Sequence, residues 1–218
     1  MFLQTSKVNL YYEKYGEGQP LILLHGNGES HKIFERSIAV LEKHFTVYAI
    51  DSRGHGESSS VDELHYEDMA DDVYEFICNL QIEKPIIYGF SDGGIIALLV
   101  GIKYPDVPSV LIGSGVNAKP YAVKVKCLLP TALAYIRERN KYCKLLLTEP
   151  NITKEMLCKI KTKVYLTSGS NDLIYQEHMR RIARNIRKCT YTVFQGEDHG
   201  SYIVDSEKIG EYIVKICT

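Results

Sequence analysis

Hydrophobic and polar positions along the chain fall into two alternating patterns. Short apolar runs rich in β-branched residues are separated by longer segments in which apolar positions recur with helical spacing. The short runs are typical of strands covered on both faces, and the longer segments are typical of amphipathic helices. This alternation predicts an α/β fold with a mostly parallel, eight-stranded sheet and helices on both of its faces.

The pattern also predicts where each element lies. An opening hairpin and six later strands are expected at residues 2–5, 8–15, 20–24, 45–50, 85–90, 109–114, 163–169 and 190–195. The main helices are expected at residues 33–44, 66–80, 93–104, 175–186 and 202–216. Residues 117–162 interrupt the alternation, because they contain about three short helical segments punctuated by Pro120, Pro130 and Pro150 and no strand pattern. We therefore expect a core built from 1–116 and 164–218, with 117–163 inserted as a helical lid.

Composition narrows the class of protein. A chain of 218 residues with 45% hydrophobic content is large enough to bury one core, so we expect a single soluble domain. The formal net charge of -1 argues against a nucleic-acid partner, which normally requires a basic excess. No apolar run is long enough for a membrane helix and the start lacks a secretion-signal pattern, so we expect a cytoplasmic protein without stable membrane insertion.

Cysteine and histidine spacing gives no sign of a metal site. The six cysteines show no CxxC spacing and the seven histidines show no HExxH pair. We expect reduced cysteines that fill packing positions, rather than disulfides, and neither a metal nor another cofactor.

A polar pair interrupts the apolar run IIYGFSDGGIIALL at residues 86–99. Ser91 lies between a predicted strand and a predicted helix, which is the position of the serine in a G-x-S-x-G nucleophile elbow. The sharp turn strains the backbone of the nucleophile, and side chains at Gly89 and Gly93 would collide with neighbouring elements. The motif alone is weak because glycine and serine are common residues.

Four further motifs follow predicted strands, and together with the elbow they resemble the alpha/beta-hydrolase family over nearly the whole chain. LILLHGNG (21–28) resembles the oxyanion loop of that family and includes His25 and Gly26, while DSRGHGES (51–58) resembles its Asp-x-Arg-Gly-x-Gly-x-Ser turn. SGSNDLIY (168–175) and GEDHGSYI (196–203) resemble its acid and histidine loops. The resemblance implies an alpha/beta-hydrolase fold and a serine hydrolase site in the chain order Ser, Asp, His.

Acyl-transfer chemistry assigns a role to each candidate residue. Ser91 is the predicted nucleophile and His199 the base that activates it. Asp172 is the predicted acid that orients His199, since the segment after the sixth strand, GSGVN (113–117), offers no carboxylate. The backbone N–H groups of Asn27 and Asp92 are the predicted oxyanion-hole donors. His25 is expected to brace the oxyanion loop.

Two features leave the substrate open. The Ser-Asp-Gly-Gly elbow resembles a subgroup that includes valacyclovir-hydrolase-like enzymes acting on amino-acid esters, yet the segment 117–126 carries three lysines and no acid that would bind an ammonium group. Residues 117–163 contain nine Lys and two Arg against three Glu. This basic surface is either a solvated outer face or a region that attracts anionic substrates or a membrane surface.

The resulting prediction is a serine hydrolase, in particular a carboxylesterase acting on a small or medium acyl substrate through an acyl-enzyme. A thioesterase or an aminopeptidase-like amidase would use the same residues. A ligand receptor on the hydrolase scaffold is the alternative from another class of protein.

Overall fold

The computed structural model describes residues 1–218, and its centre is one eight-stranded sheet. The strands are β1 (Phe2–Gln4), β2 (Asn9–Tyr15), β3 (Gln19–Leu24), β4 (Phe45–Ile50), β5 (Ile86–Phe90), β6 (Val110–Ser114), β7 (Lys163–Gly169) and β8 (Cys189–Phe194). They are arranged in the order β1-β2-β4-β3-β5-β6-β7-β8. β1 and β2 are antiparallel to their neighbours, whereas β3 to β8 run parallel. The predicted mostly parallel, eight-stranded sheet is confirmed.

Eight α-helices accompany the sheet. They are α1 (Glu35–Leu41), α2 (Tyr66–Asn79), α3 (Asp92–Lys103), α4 (Val125–Glu138), α5 (Lys141–Thr148), α6 (Lys154–Leu157), α7 (Gln176–Arg184) and α8 (Lys208–Cys217). Short 3₁₀ turns span His31–Phe34 and Pro120–Ala122. None of the helices combines the length and apolar character needed to cross a membrane.

Alternate residues of the central strands point to two separate cores. In β3, Leu21 and Leu23 join the core beneath α1 and α8, whereas Ile22 and Leu24 join the larger core beneath α2, α3 and α7. All four side chains are fully buried. Because both faces of the strand are covered, its sequence is a continuous apolar run rather than an alternation of apolar and polar residues.

Most helices lie within three residues of the expected bounds, and two helices differ more. The last helix begins at Lys208, and residues 201–205 form turns in which Asp205 has a φ of 50°. Tyr202 and Ile203 are nevertheless fully buried, so their apolar character reflects core packing rather than helical periodicity. The second difference lies in α4, which continues through Pro130 instead of ending there. Residues 117–162 contain α4, α5 and α6 and no strand.

A buried ion pair fastens the 51–58 turn to α2. Arg53 donates from Nε to Asp72 Oδ2 over 2.5 Å and from its second terminal nitrogen to Asp72 Oδ1 over 2.7 Å. Both side chains are almost completely shielded from solvent. Two parallel charge-assisted hydrogen bonds hold the planar guanidinium in one orientation.

We predict that Asp72→Ala lowers the free energy of unfolding by about 3–5 kcal/mol, because Arg53 would remain buried with only its longer, 3.5 Å contact to Asp68 Oδ2. Urea unfolding followed by circular dichroism measures this change. Glu177→Ala is the control, because it removes an exposed ion pair with Arg184 and is expected to cost at most about 1 kcal/mol. Equal effects of the two substitutions would contradict the structural role of the buried pair.

Candidate active site

Ser91 stands in a strained turn between β5 and α3. Its φ of 52° and ψ of -113° lie outside the regions that non-glycine residues normally occupy. A Cβ on Gly89 would approach Gly93 O to 2.0 Å, and a Cβ on Gly93 would approach Leu24 O to 2.1 Å. Only glycine allows β3, β5 and α3 to approach this closely, which explains the glycines on either side of the serine.

A continuous hydrogen-bond chain joins the three side chains that the sequence selects as catalytic. His199 Nε2 lies 3.1 Å from Ser91 Oγ, and His199 Nδ1 lies 2.7 Å from Asp172 Oδ1. A carboxylate can only accept, so Nδ1 carries the proton toward Asp172 and Nε2 is free to accept from the serine hydroxyl. The three residues come from loops at the carboxyl ends of β5, β7 and β8, which lie on one side of the sheet.

The backbone around Asp172 and His199 leaves room for this arrangement. Asp172 is buried, and its carboxylate accepts N–H groups from Gly169 at 3.3 Å and Ile174 at 2.9 Å. Gly115, which follows β6 with a φ of +62°, faces the imidazole: a Cβ there would come within 2.5 Å of His199 Cε1. The segment after β6 contains no acid. Because Gly115 has no side chain, this segment leaves room for the ring of His199.

His25 lies beneath the predicted oxyanion loop rather than in the cavity. Its Nδ1 is 2.7 Å from Gly26 O, and its Nε2 accepts the N–H of Ser52 over 3.0 Å. Burial lowers the pKa of His25 to about 4, which keeps the ring neutral near pH 7. A neutral ring can donate through Nδ1 and accept through Nε2 at the same time, so His25 joins the loop after β3 to the loop after β4.

The side chain of Asp92 makes contacts that the sequence does not reveal. Asn27 Nδ2 donates to Asp92 Oδ2 and Tyr66 OH donates to Asp92 Oδ1, each over 2.8 Å. The carboxylate is buried, and this burial raises the pKa of Asp92 to about 6, an effect that the two donors partly oppose. The contacts tie together the two residues whose backbone N–H groups were predicted to form the oxyanion hole. No local pattern could identify Tyr66, because α2 brings it to the elbow.

A cavity of about 220 Å³ opens beside the serine. Ser91, His199 and Asn27 line it together with apolar side chains from residues 117–163 and the acid loop, namely Val123, Leu128, Leu146, Leu173 and Ile174. Glu29 also lines the cavity and was not identified from the sequence. Its Oε2 accepts the N–H of Gly26 over 2.9 Å, and burial raises its pKa. The feature of the sequence that could have identified Glu29 is its position two residues after Asn27 in the same loop.

None of the basic side chains of residues 117–163 lines the cavity. Lys124 Nζ donates to the backbone oxygen of Asp172 over 2.5 Å, Lys141 Nζ donates to Val61 O, and Lys144 pairs with Glu63. These contacts bind the inserted helices to the core.

Comparison with known proteins shows which proteins this chain is similar to. The family model described as alpha/beta hydrolase fold matches residues 19–124. The AB hydrolase superfamily protein YisY of Bacillus subtilis is 28% identical over 98% of this chain and 97% of its own length. The pimeloyl-(acyl-carrier protein) methyl ester esterase of Vibrio campbellii is 32% identical over 48% of this chain, a match that spans 39% of that enzyme.

The same relation holds among solved structures. The esterase EaEST from Exiguobacterium antarcticum superposes with a TM-score of 0.86 at 23% identity, covering 99% of this chain and 98% of that one. The resemblance to alpha/beta hydrolases that was identified from the motifs is confirmed by the family model and by these relatives, and the solved structure confirms the fold.

The burial of Asp92 predicts a specific pH dependence of stability. Its pKa is about 6 in the folded protein against 3.8 for a free side chain, which corresponds to about 3 kcal/mol. The unfolded state ionises first as the pH rises, so the wild type should lose this amount relative to Asp92→Asn between about pH 4 and about pH 6, and no more above that. Urea unfolding of both proteins across this range gives the difference, and a difference that does not vary with pH would contradict the prediction.

Proposed function

We propose that the protein is a serine hydrolase that cleaves small to medium carboxylic esters through an acyl-enzyme on Ser91. The observation that carries the proposal is the hydrogen-bond chain from Ser91 Oγ through His199 to Asp172 at the wall of an apolar cavity. The strained elbow supports it, because backbone strain of this kind is concentrated at functional positions. The match of residues 19–124 to the alpha/beta hydrolase fold model supports it as well.

In the proposed reaction, Ser91 Oγ attacks the ester carbonyl while His199 Nε2 takes its proton. Asp172 stabilises the resulting imidazolium through the bond to Nδ1. The negative charge that develops on the carbonyl oxygen is bound by the backbone N–H groups of Asn27 and Asp92, the latter at the start of α3. His199 then protonates the departing alcohol, leaving an acyl group on Ser91. A water molecule, deprotonated by His199, then attacks the acyl carbon. The bond to Ser91 Oγ breaks, His199 returns the proton to this oxygen, and the carboxylic acid departs.

The proposed substrate class follows from the cavity. A volume of about 220 Å³ is below the usual range for drug-sized ligands, which favours short and medium acyl chains. In this proposal residues 117–163 act as the lid, because Val123, Leu128 and Leu146 form one wall of the cavity. The name of the Vibrio relative, a methyl ester esterase, supports ester cleavage. Thioesters and amides are the alternative acyl donors for the same residues.

We predict that the wild type hydrolyses p-nitrophenyl esters, with the highest kcat/KM for short or medium chains in a series from acetate to decanoate. Ser91→Ala should lower kcat by on the order of 10⁵-fold or more, because the nucleophile is lost. Asp172→Asn should lower it by about 10⁴-fold through the wrong histidine tautomer. Matched thioester and amide substrates measure the preference among acyl donors.

A serine-directed phosphonate probe separates the enzyme from the receptor alternative. An active elbow should be labelled rapidly in the wild type and not in Ser91→Ala. Absence of both labelling and turnover that depend on Ser91 would refute the proposed function and favour a receptor on the hydrolase scaffold.

The carboxylate of Glu29 disfavours anionic substrates in the cavity. This effect opposes the attraction of such substrates by the basic side chains of residues 117–163. The cavity wall carries this carboxylate and no lysine or arginine. An acyl group with a terminal carboxylate would therefore meet a like charge in a partly desolvated site, where repulsion is stronger than in water. Neutral acyl groups fit the cavity better, and the basic residues of the lid are proposed to act on its outer surface only.

We predict that methyl valerate is hydrolysed with a higher kcat/KM than monomethyl glutarate, which has the same chain length and a terminal carboxylate. Glu29→Gln should reduce this ratio by about tenfold, because it removes the repulsion while its side-chain oxygen can still accept the Gly26 N–H. Alcohol release measured at about pH 7.5, where a glutamate in water is ionised, gives both rates. A ratio unchanged in Glu29→Gln would show that this carboxylate does not select the substrate.

A further inference from the structure

The outer face of α4 is apolar and exposed. Val125 and Ile136 are each 67% exposed, and Leu129 and Leu133 are each 59% exposed. With about 100° between successive residues of an α-helix, the four side chains fall on one face about 80° wide. Counting Tyr121 just before the helix, five of the nine exposed large hydrophobic residues of the chain lie within residues 121–136. A cluster of this kind on a single helix marks an interaction surface.

The opposite side of α4 is already occupied. Cys127, Leu128 and Thr131 line the cavity beside Ser91. The helix is therefore apolar on two sides, one packed toward the cavity and the other facing solvent. Packing within this chain accounts for the first side only, so the second side requires a partner outside the chain.

Charge indicates the kind of partner. Lys126 and Arg137 are exposed, belong to none of the ion pairs of the chain, and lie about 20° apart on the helix, along one edge of the apolar face. Between residues 119 and 144 there are seven Lys or Arg residues and a single acid, Glu138. An apolar face bordered by unpaired cations is the arrangement of helices that bind to the surface of anionic membranes.

The same charges disfavour a second copy of the chain as the partner. Two α4 helices packed antiparallel through their apolar faces would place Lys126 of one copy beside Arg137 of the other. Glu138 is the only acid on the helix, so this repulsion would not be compensated. An anionic surface satisfies both the apolar side chains and the cations.

We propose that the exposed face of α4, formed by Val125, Leu129, Leu133 and Ile136 and bordered by Lys126 and Arg137, docks on the surface of an anionic lipid bilayer. The helix of 14 residues lies in the plane of the interface and does not cross it. The cavity, on the other side of α4, then remains within one helix diameter of the lipid, about 10 Å. This proposal does not depend on the identity of the reaction at Ser91.

Vesicle flotation with the full chain tests the proposal. Vesicles of phosphatidylcholine alone are compared with vesicles that also contain phosphatidylglycerol, at low and at high salt. The wild type should bind the phosphatidylglycerol vesicles, and salt should weaken the binding because it screens the contribution of the cations. L129S/L133S should weaken binding at least about tenfold, and K126Q/R137Q should weaken it on the order of 30-fold.

A charge-matched control is K32Q/R36Q, which neutralises two exposed cations at and before the start of α1 and should leave binding unchanged. Circular dichroism and thermal unfolding verify that each variant is folded. The proposal is overturned if the wild type does not bind phosphatidylglycerol vesicles at low salt, or if both α4 variants bind as well as the wild type. It is also overturned if sedimentation shows a dimer that L129S/L133S abolishes, because a second copy would then cover the face.

Discussion

The close approach of backbone to backbone at the elbow is the constraint on which the candidate site depends. Gly89 and Gly93 let β3, β5 and α3 meet at distances that no Cβ would permit. The turn that results forces Ser91 to a φ of 52° and points the start of α3 at the cavity. The parallel register of β3 and β5, in which Leu24 lies opposite Gly89, fixes the predicted oxyanion loop beside the same turn. The register of β3 against β5 and the spacing of Gly89 and Gly93 therefore determine the geometry of the turn at Ser91 together.

The buried contacts of Asp92 extend this constraint to the helices. An acid in the first turn of α3 is favoured by the partial positive charge at a helix N-terminus, yet its burial raises its pKa to about 6. Asn27 and Tyr66 compensate part of that cost by donating one hydrogen bond each. The carboxylate consequently connects the oxyanion loop, the elbow and the first residue of α2. In the sequence, Asp92 looks like a residue that selects the substrate. In the folded chain, its side chain binds Asn27 and Tyr66 of the protein itself.

Sequence patterns predicted the parts of the fold that local chemistry controls. Continuous apolar runs located the six later strands, because strands covered on both faces contain few polar residues. The opening hairpin was located from two extended runs that Ser6 and Lys7 separate. Glycine and loop motifs located Ser91, Asp172 and His199, since each follows the end of a strand. The environment of Asp92 was not accessible, because it depends on contacts with Asn27 and Tyr66 from separate segments of the chain. Glu29 was missed although it lies two residues after Asn27 in the same loop. The start of α8 was misplaced because the buried turn at Tyr202 and Ile203 is as apolar as a helix.

The net charge of residues 117–163, the predicted lid, does not describe both of its sides, because the side toward the cavity and the side toward solvent carry different residues. Its excess of lysine and arginine suggested attraction of anionic substrates, but the cavity wall carries Glu29 instead. At its base the segment is joined to the acid loop, because Lys124 N donates to Leu173 O and Tyr175 N donates to Ala122 O. The start of α4 is therefore fixed to the loop that carries Asp172, while the outer face of the helix stays free. A contact on that outer face would act on a helix already coupled to the predicted acid, which links the surface of the predicted lid to the candidate site beneath it.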